Sequence, residues 1–264
     1  MSNLLQLVKQ KSGRIFIQPH NFPDHDAIAT AFALQKLLQT EKIESAIIYE
    51  GDIQRESLLN TIESLSIAVS HSGEVGLTDS DSIIVVDGCK GAKNVTDLIG
   101  DEIAVIDHHE VSCVDGVPYV DIRPEYGACS TLLYEYWKEH GLTPPRDVAT
   151  ALMIGLNMDT ALLTRDVSVN DVQAYSSLYT LCDMRLGSSI LRNYIQVKDL
   201  TFYKKAIDSI FIRKSFCFCY FPEGCNQNLL GILGDFFLSL EEAEFVVLCA
   251  NNGGRVNLSI CSEN

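Results

Sequence analysis

The chain has 264 residues, of which 47% are hydrophobic and 21% charged, so it can bury the core of one large or two ordinary domains. Its formal net charge of −15 repels the nucleic-acid backbone, and we expect no stable binding to duplex nucleic acid. The nine cysteines include no Cys-x-x-Cys pair, and we find neither a signal-peptide pattern nor an apolar run long enough to span a membrane. These features predict a reduced, cytoplasmic protein.

The first half of the chain alternates between helix-like and strand-like segments. A short amphipathic helix ends at Gly13, and a buried strand, "RIFIQ", follows it. Apolar residues then recur at helical spacing in "DAIATAFALQKLLQT". Three Val- and Ile-rich runs come next, and none of them alternates with polar residues: "SAIIYE", "DSIIVVDG" and "DEIAVIDHH". This succession predicts an α/β fold with a parallel sheet and flanking helices.

The pattern of predicted helices and strands changes in the second half of the chain. A helix closed by Gly141 leads into residues 145–210, which look mostly helical and include a helix opened by the capping-box pair Ser168 and Asp171. From about residue 212, short strands surround one apolar helix. The predicted parts are a parallel-sheet domain over residues 1–190, a helical linker over 191–211 and a smaller α+β domain over 212–264.

Acidic and imidazole side chains gather where the predicted strands end. Three groups follow strands and a fourth lies in the helical region; the residues are His20, Asp24, Asp26, Asp87, Asp107, His108, His109 and Asp159. Because the carboxyl ends of parallel strands meet at one edge of a sheet, we expect these side chains to lie together. Crowded carboxylates repel one another unless cations neutralise them. Oxygen and nitrogen ligands without a thiolate suit Mn²⁺ or a similar borderline metal.

Simpler interpretations exist for the individual residues. Asp26 alone would serve equally well as the N-cap of the following helix, and a lone histidine more often lies on a surface or in a core. The joint pattern favours metal binding. Asp24 and Asp26 are two residues apart at a strand-to-helix turn, so they can address two different metals, which a carboxylate from another strand can bridge. Two such metals activate water and hold phosphoryl oxygens, while a nearby imidazole binds the phosphate or protonates the leaving oxygen.

Four motifs resemble, in order, spacing and strand context, those of the DHH-family phosphoesterases of the RecJ-like superfamily. The motifs are His20-x-x-Pro23-Asp24-x-Asp26, Asp87, Asp107-His108-His109 and Gly155-Leu156-x-x-Asp159-Thr160. The resemblance covers about the first 190 residues and is greatest to the bacterial nanoRNase and pAp phosphatase branch. Some relatives hydrolyse cyclic dinucleotides, and the family-II inorganic pyrophosphatases share the metal motifs.

The resemblance implies a hydrolase that uses two divalent ions. Mn²⁺ is the first choice, with Mg²⁺ or Co²⁺ as alternatives. Asp87 would bridge the two ions, because the family's metal motifs give its position to both. The ligands implied by position are His20, Asp24 and Asp87 for one ion, and Asp26, Asp87, His108 and Asp159 for the other.

The third motif would carry the catalytic residues Asp107, His108 and His109. His109 is similar in position to the family's phosphate-binding imidazole, and Asp107 would orient this turn. His25 occupies a variable position of the first motif, and we expect it to face solvent at the start of a helix. The backbone amides of "GACST" (127–131) would face the phosphate, or the turn is simply tight.

The C-terminal region departs from the family pattern. Relatives carry a Ser-x-Arg-Ser-like strand and a glycine-rich turn with a histidine, whereas here Cys261 lies where the arginine is expected and no Gly-Gly-His segment exists. Two explanations stay open. In the first, which we favour, the chain is part of a longer enzyme, because the last strand would otherwise leave an unpaired sheet edge. In the second, a shortened second domain recognises a different substrate. We expect residues 212–264 to form a partial substrate-binding domain.

The remaining polar and aromatic residues receive simpler interpretations. We expect loop or surface positions for Asp101, Asp115, Asp121, His71 and His140. We expect packing rather than base stacking from Tyr134, Tyr136 and Trp137. We expect surface salt bridges rather than contacts with substrate phosphate from Arg165 and Arg185.

These features favour a Mn²⁺-dependent phosphohydrolase acting on short nucleotides. It would cleave phosphodiester or phosphomonoester bonds of pAp, of di- to oligonucleotides in an exonuclease-like reaction, or of cyclic dinucleotides. An inorganic pyrophosphatase or polyphosphatase using the same centre is the first alternative. A non-catalytic nucleotide-binding module is the second, and the retention of clustered carboxylates speaks against it. A homodimer is left open.

Overall fold

The structure, a computed structural model, describes residues 2–91, 93–110, 114, 116–192 and 195–262. The chain divides into two compact units, Met1–Arg192 and Asn193–Asn264, which we call the first and the second unit. The predicted α/β fold, with a parallel sheet and a smaller α+β part, is confirmed. Among the described residues, no helix is both long enough and apolar enough to cross a bilayer.

The first unit is built on a six-stranded parallel sheet. Its strands are β1 (Ile15–Pro19), β2 (Ala46–Tyr49), β3 (Val69–His71), β4 (Ser82–Val86), β5 (Asp101–Asp107) and β6 (Tyr119–Ile122). The spatial order is β3-β2-β1-β4-β5-β6, and every neighbouring pair runs parallel. The order reverses direction between β1 and β4. In sheets of this kind, ligands bind outside the carboxyl ends of the strands at this reversal point.

Helices cover the sheet of the first unit. They are α1 (Ser2–Lys9), α2 (His25–Thr40), α3 (Glu56–Ser64), α4 (Cys129–Glu139), α5 (Arg146–Asp159), α6 (Val169–Leu181) and α7 (Met184–Arg192). Helix α2 packs against both α4 and α5 and is buried over most of its length. Tyr136 and Trp137 of α4 are buried as predicted, and the Trp137 indole donates a hydrogen bond to the Ala33 carbonyl (3.2 Å).

Three elements of the first unit, α3, β3 and β6, were not predicted from the sequence. His71 therefore ends a strand instead of lying in a loop, and its ring packs edge-to-face on Tyr49 with centroids 5.4 Å apart. Asp121 lies in β6, where it forms an ion pair with Arg123 (2.9 Å). Strands β3 and β6 have only three and four residues, so their pairing with the rest of the sheet decides their structure. In α3, by contrast, Leu58, Leu59 and Ile62 recur at helical spacing, so this helix could have been predicted from the sequence.

Other residues assigned to loops or the surface have mixed outcomes. Asp101 is exposed but starts β5, and it pairs with Lys11 (2.7 Å). His140 directly follows α4, and its Nδ1 lies 3.0 Å from the carbonyl oxygen of Tyr136. Asp115 lies outside the described residues.

The second unit contains a four-stranded mixed sheet with two helices. Its elements are α8 (Leu200–Ser209), β7 (Phe211–Arg213), β8 (Phe216–Phe221), α9 (Gln227–Leu238), β9 (Phe245–Asn252) and β10 (Arg255–Ser262). The order is β10-β9-β8-β7, with β8 and β9 parallel and the other pairs antiparallel. Residues 191–211 were expected to form a linker, but Ala206 of α8 is buried in the core of this unit. Helix α8 is therefore part of the second unit.

Asp171 is a completely buried carboxylate that ties three segments of the first unit together. Its Oδ2 accepts hydrogen bonds from the amides of Gly127 (2.9 Å) and Ser168 (2.7 Å), and its Oδ1 accepts one from the Thr131 hydroxyl (2.5 Å). The capping box predicted for Ser168 and Asp171 is present. Asp171 thus fixes the start of α4 relative to the start of α6.

We expect Asp171→Ala to lower the free energy of unfolding by about 3 kcal/mol, because buried donors of Gly127 and Thr131 lose their acceptor. Urea unfolding followed by circular dichroism measures this change. Asp208→Ala, which removes an exposed carboxylate on α8, should stay within about 0.5 kcal/mol of the original protein. A loss below about 1 kcal/mol for Asp171→Ala would contradict the structural role given to this side chain.

Candidate metal centre

The carboxyl ends of β1, β4 and β5 deliver most of the acidic and imidazole residues to one place. His20 follows β1, Asp87 follows β4, and Asp107 ends β5. Helix α2 starts directly after the β1 turn, and its N-cap is Asp24, whose Oδ1 accepts hydrogen bonds from the amides of Asp26 (3.0 Å) and Ala27 (3.1 Å). The capping role weighed for Asp26 therefore belongs to Asp24.

These side chains form three overlapping groups whose ligand atoms lie within 4.8 Å of one another. The groups are His20, Asp24 and Asp87; Asp26, His108 and Asp159; and Asp87, His108 and His109. They contain all the residues predicted as metal ligands. Asp159 reaches the site from the last position of α5.

Asp87 lies between the first two groups and offers one oxygen to each. Its Oδ2 is 3.7 Å from His20 Nε2, and its Oδ1 is 3.4 Å from His108 Nε2. His20 Nε2 is also 3.8 Å from Asp24 Oδ1, and His108 Nε2 is 3.1 Å from Asp159 Oδ2. A carboxylate in this position is suited to bridge two cations.

The backbone of Asp87 adopts a left-handed conformation, with φ of 53°. An L-residue other than glycine pays about 1–2 kcal/mol for it, although aspartate is among the residues that visit this region. Its amide still donates to the Ile106 carbonyl (2.8 Å), so β4 and β5 stay paired up to the residue that leaves the sheet. Strain of this kind persists only where the surrounding structure enforces it, and it concentrates at functional sites.

Unsatisfied polar atoms show that the site suits a cation. Asp87 Oδ1 and His108 Nε2 are both buried and make no hydrogen bond to any described residue. Buried polar atoms without partners are costly, and a divalent ion between a carboxylate oxygen and an imidazole nitrogen would satisfy both. The set of carboxylates and imidazoles without thiolate fits a borderline divalent metal.

Asp26 is completely buried, and the first amides of α4 hold its carboxylate. Cys129 donates to Oδ2 (2.7 Å) and Ser130 donates to Oδ1 (3.0 Å). The 127–131 turn was interpreted either as a set of amides facing a phosphate or as a simple tight turn; in the structure these two amides bind Asp26, and the amide of Gly127 binds Asp171. The positive end of α4 thus stabilises a carboxylate of the protein itself.

Gly155 makes the close approach of α5 to this carboxylate possible. A Cβ at position 155 would lie 2.4 Å from the Oγ of Ser130 and 2.7 Å from the Oδ1 of Asp26. Both distances are far below van der Waals contact, so the fourth motif requires glycine here for steric reasons.

Backbone carbonyls fix the orientation of two imidazoles. The Nδ1 of His20 lies 2.9 Å from the Asn21 oxygen, and the Nδ1 of His108 lies 3.0 Å from the Tyr126 oxygen. With the proton on Nδ1, each ring presents the lone pair of Nε2 to the carboxylates, which is the arrangement that metal-binding histidines adopt. The roles of the Asn21 and Tyr126 carbonyls could not be predicted from the sequence, because main-chain acceptors have no side-chain signature.

The buried charges shift the pKa values of the site in opposite directions. Burial alone would lower the pKa of His20, but Asp24 and Asp87 outweigh it and raise it to about 10. Burial would likewise lower the pKa of His108, but Asp159 and Asp87 outweigh it and raise this pKa to about 12. Burial raises the pKa of Asp26 well above its usual range, and repulsion from Asp87 and Asp159 raises it further.

Asp107 and His109 form a pair at the edge of this cluster. The buried Asp107 accepts hydrogen bonds at Oδ1 from the amides of His108 (2.8 Å) and His109 (3.2 Å), and the same oxygen lies 2.8 Å from His109 Nδ1. The hydrogen bond to Asp107 raises the pKa of His109. The His109 side chain is half exposed, so its imidazole borders both the buried cluster and the solvent.

His25 was expected to face solvent, and this expectation is wrong. Its side chain is buried with 2% exposure, and burial lowers its pKa to about 4, so the ring is neutral at ordinary pH. The charge of Arg55, which directly precedes α3, lowers this pKa as well. Because α3 was not predicted, no element was expected to cover His25.

Residues 14–156, more than half of the chain, match the model of the DHH family, N-terminal domain. The chain belongs to the DHH family. Among curated relatives, an uncharacterized protein of Methanocaldococcus jannaschii is 28% identical over 252 residues, which are 95% of this chain and 52% of that protein. A probable manganese-dependent inorganic pyrophosphatase of Shouchella clausii is 27% identical over 188 residues, 69% of this chain and 60% of that protein. The chain thus spans 52–60% of the length of these relatives.

Two solved structures share the fold. An exopolyphosphatase-related protein from Bacteroides fragilis aligns with a TM-score of 0.84 at 16% identity, covering 100% of this chain and 83% of that chain. A putative family II inorganic pyrophosphatase of Methanococcus jannaschii aligns with a TM-score of 0.58 at 16% identity, covering 94% of this chain and 88% of that chain. At these identities the likeness establishes the fold and not the substrate.

We expect Asp87→Ala to weaken binding at both ion positions, because its two oxygens face the two groups. Titration with Mn²⁺ followed by electron paramagnetic resonance should show at most one ion bound, with affinity reduced at least about tenfold. Asp101→Ala, which removes an exposed carboxylate paired with Lys11, should bind Mn²⁺ like the original protein. Unchanged stoichiometry in Asp87→Ala would exclude a bridging position for this residue.

Metal affinity should rise with pH from about 6.5 towards 10. The raised pKa values of His20 and His108 mean that both rings carry protons in the metal-free protein at pH 7, and a cation binds only the neutral rings. Binding must therefore release protons, and higher pH removes this competition. Calorimetry in buffers of different ionisation enthalpy measures the number of protons released when the cation binds. His140→Gln is the control, and it should release as many protons on cation binding as the original protein does. A pH-independent affinity would contradict the shifted pKa values.

Proposed function

We propose that this chain is a metal-dependent phosphohydrolase that uses two divalent ions, with Mn²⁺ as the first choice. The observation that carries the proposal is the position of Asp87, which is buried, strained and aimed at both imidazoles. Membership of the DHH family supports the proposal. The Shouchella clausii relative supports it as well, because that protein is named a probable manganese-dependent enzyme. The proposed ligands are His20, Asp24, Asp26, Asp87, His108 and Asp159.

The protein's own residues would divide the work around the ions. When bound, the two ions would activate a water molecule and neutralise phosphate oxygens. His20 and Asp24 would hold one ion, Asp26, His108 and Asp159 the other, and Asp87 both. The carbonyls behind the imidazoles and the amides behind Asp26 keep these ligands in place before a substrate arrives.

His109 would bind the phosphate and protonate the leaving oxygen. Asp107 occupies its Nδ1 and raises its pKa, which favours the protonated ring, and Nε2 is left to donate a hydrogen bond on the half-exposed side. A positioned imidazolium of this kind is an effective general acid. Asp107 would act through His109 by fixing its orientation and its charge.

A short nucleotide is the first candidate substrate, because the motifs resemble those of the nanoRNase and pAp phosphatase branch. Inorganic pyrophosphate is the second candidate, and the specific observation in its favour is the relatives named probable manganese-dependent inorganic pyrophosphatases. The last strand, β10, carries a single cationic side chain, Arg255. Pyrophosphate is compact and highly charged and requires several cationic side chains, so we rank pyrophosphate second. The cytoplasmic location and the homodimer stay predictions from the sequence.

A substrate panel with added Mn²⁺ tests the proposed function. The purified protein should release phosphate or mononucleotides from at least one of pAp, a dinucleotide, a cyclic dinucleotide and pyrophosphate. Asp87→Ala, prepared identically, shows whether a contaminating phosphatase contributes. If the original protein turns over none of these compounds yet binds a nucleotide tightly, the non-catalytic alternative replaces this proposal.

We expect His109→Gln to lower kcat by about a hundredfold, because it removes the general acid. Mn²⁺ affinity should change little, since the proposed ligands are intact. Steady-state kinetics and a Mn²⁺ titration on the same preparation separate the two effects. His71→Gln, which changes a histidine at the end of β3, is the matched control. A His109→Gln protein with unchanged kcat would remove this residue from the mechanism.

A further inference from the structure

The turn that follows α5 has an unusual backbone. Three successive residues other than glycine adopt left-handed conformations: Ala161 (φ 47°), Leu162 (φ 61°) and Leu163 (φ 63°). Such residues visit this region singly and rarely in runs. The run begins two residues after Asp159, so the costly conformation borders the candidate metal centre.

Hydrogen bonds and tight packing enforce this turn. The carbonyl of Thr160 accepts hydrogen bonds from the amides of Thr164 (2.9 Å) and Arg165 (3.0 Å), and its hydroxyl accepts one from the amide of Leu163 (3.1 Å). A Cβ on Gly127 would lie 2.5 Å from the carbonyl oxygen of Asp166. The turn is therefore pressed against the residues that precede α4, and its course is fixed.

The turn brings Arg165 back to the residue where α5 ends. The Nη2 of Arg165 donates a hydrogen bond to the main-chain oxygen of Asp159 (3.0 Å), and the carboxylate of Asp159 lies 3.1 Å from His108 Nε2. Arg165 is exposed, and it pairs with no carboxylate in the described part of the chain, although the chain carries 35 acidic residues. The surface salt bridge expected for this residue is thus not seen there.

We propose that Arg165 binds a phosphate of the substrate beside the metal centre; this inference rests on the proposed function. A guanidinium has five donors in a planar fork that matches phosphate oxygens, and among the described residues the Arg165 guanidinium makes one hydrogen bond, to a neutral carbonyl. The strained turn holds the guanidinium at the end of α5 before substrate binds, which reduces the entropy lost on binding.

A purely structural role has a different signature. Arginine often caps the carbonyls at the end of a helix, and such a cap stabilises the fold or the position of Asp159. A cap predicts that substitution lowers the melting temperature or the Mn²⁺ affinity without a specific effect on phosphate. A substrate contact predicts weaker phosphate binding with the metal affinity preserved.

The test compares Arg165→Gln, Arg165→Lys and the control Arg185→Gln, which removes one exposed arginine from α7. Each protein is loaded with Mn²⁺ and titrated with inorganic phosphate by calorimetry, and KM is measured on the best substrate of the panel. We expect Arg165→Gln to bind phosphate about tenfold to a hundredfold more weakly and to raise KM similarly. Arg165→Lys should fall between it and the original protein, and Arg185→Gln should match the original.

Equal phosphate affinity in Arg165→Gln and the original protein would overturn the inference, and so would a loss confined to Mn²⁺ affinity or melting temperature. Arg165→Lys covers the case in which Arg165→Gln folds poorly, because it keeps the charge and the length. The phosphate titration does not depend on turnover. A protein that binds phosphate through Arg165 but hydrolyses no substrate would therefore contradict the proposed function and leave this inference supported.

Discussion

The repulsion among buried carboxylates is the constraint on which the rest of the first unit depends. Asp26 and Asp87 are almost completely removed from water, and Asp159 lies close to both. In a low-dielectric setting such charges cannot ionise together without compensation. The fold supplies part of it through the imidazoles of His20 and His108 and through the first amides of α4. The remainder is the charge that divalent cations would bring.

The sheet topology explains how distant parts of the chain meet at this cluster. The strand order reverses between β1 and β4, which opens a crevice at the carboxyl ends, and β5 adds the third motif next to it. The helices then complete the site from opposite ends: α2 begins at it, α5 ends at it, and α4 points its amino end into it. Each motif thus has a topological reason for its place in the sequence.

The fold class and the membership of the site could be predicted because they depend on strong local signals. Unbroken Val and Ile runs mark buried parallel strands, and an ionisable residue directly after such a run must lie at the sheet edge. His25 and Asp26 show where this logic fails. Whether a side chain beside the site is covered depends on elements distant in sequence, here α3 for His25 and α4 for Asp26, and no local pattern shows which element packs over a given side chain.

The backbone conformation of the turn after α5 could not be predicted from the sequence either. Nothing in "NMDTALLTRD" announces three left-handed residues, since none is glycine, and the contacts with Thr160 and Gly127 that enforce them are tertiary. The same holds for the second unit, where the residues given to a linker include a helix that closes the core. The local conformational preference of the residues decided neither the turn after α5 nor the place of α8, because tertiary packing outweighed it.

Because Gly155 has no side chain, it affects which substitutions the protein tolerates between α5 and α2. This residue sets the distance between α5 and α2, and those two helices carry Asp159 and Asp26. The spacing of two proposed metal ligands is therefore set by one helix–helix contact. Substitutions deep in that contact, with no solvent exposure and no ionisable group, would act at the cluster as if they were ligand substitutions. The packing of this contact and the geometry of the cluster therefore depend on the same residues, so a substitution here would disturb both together.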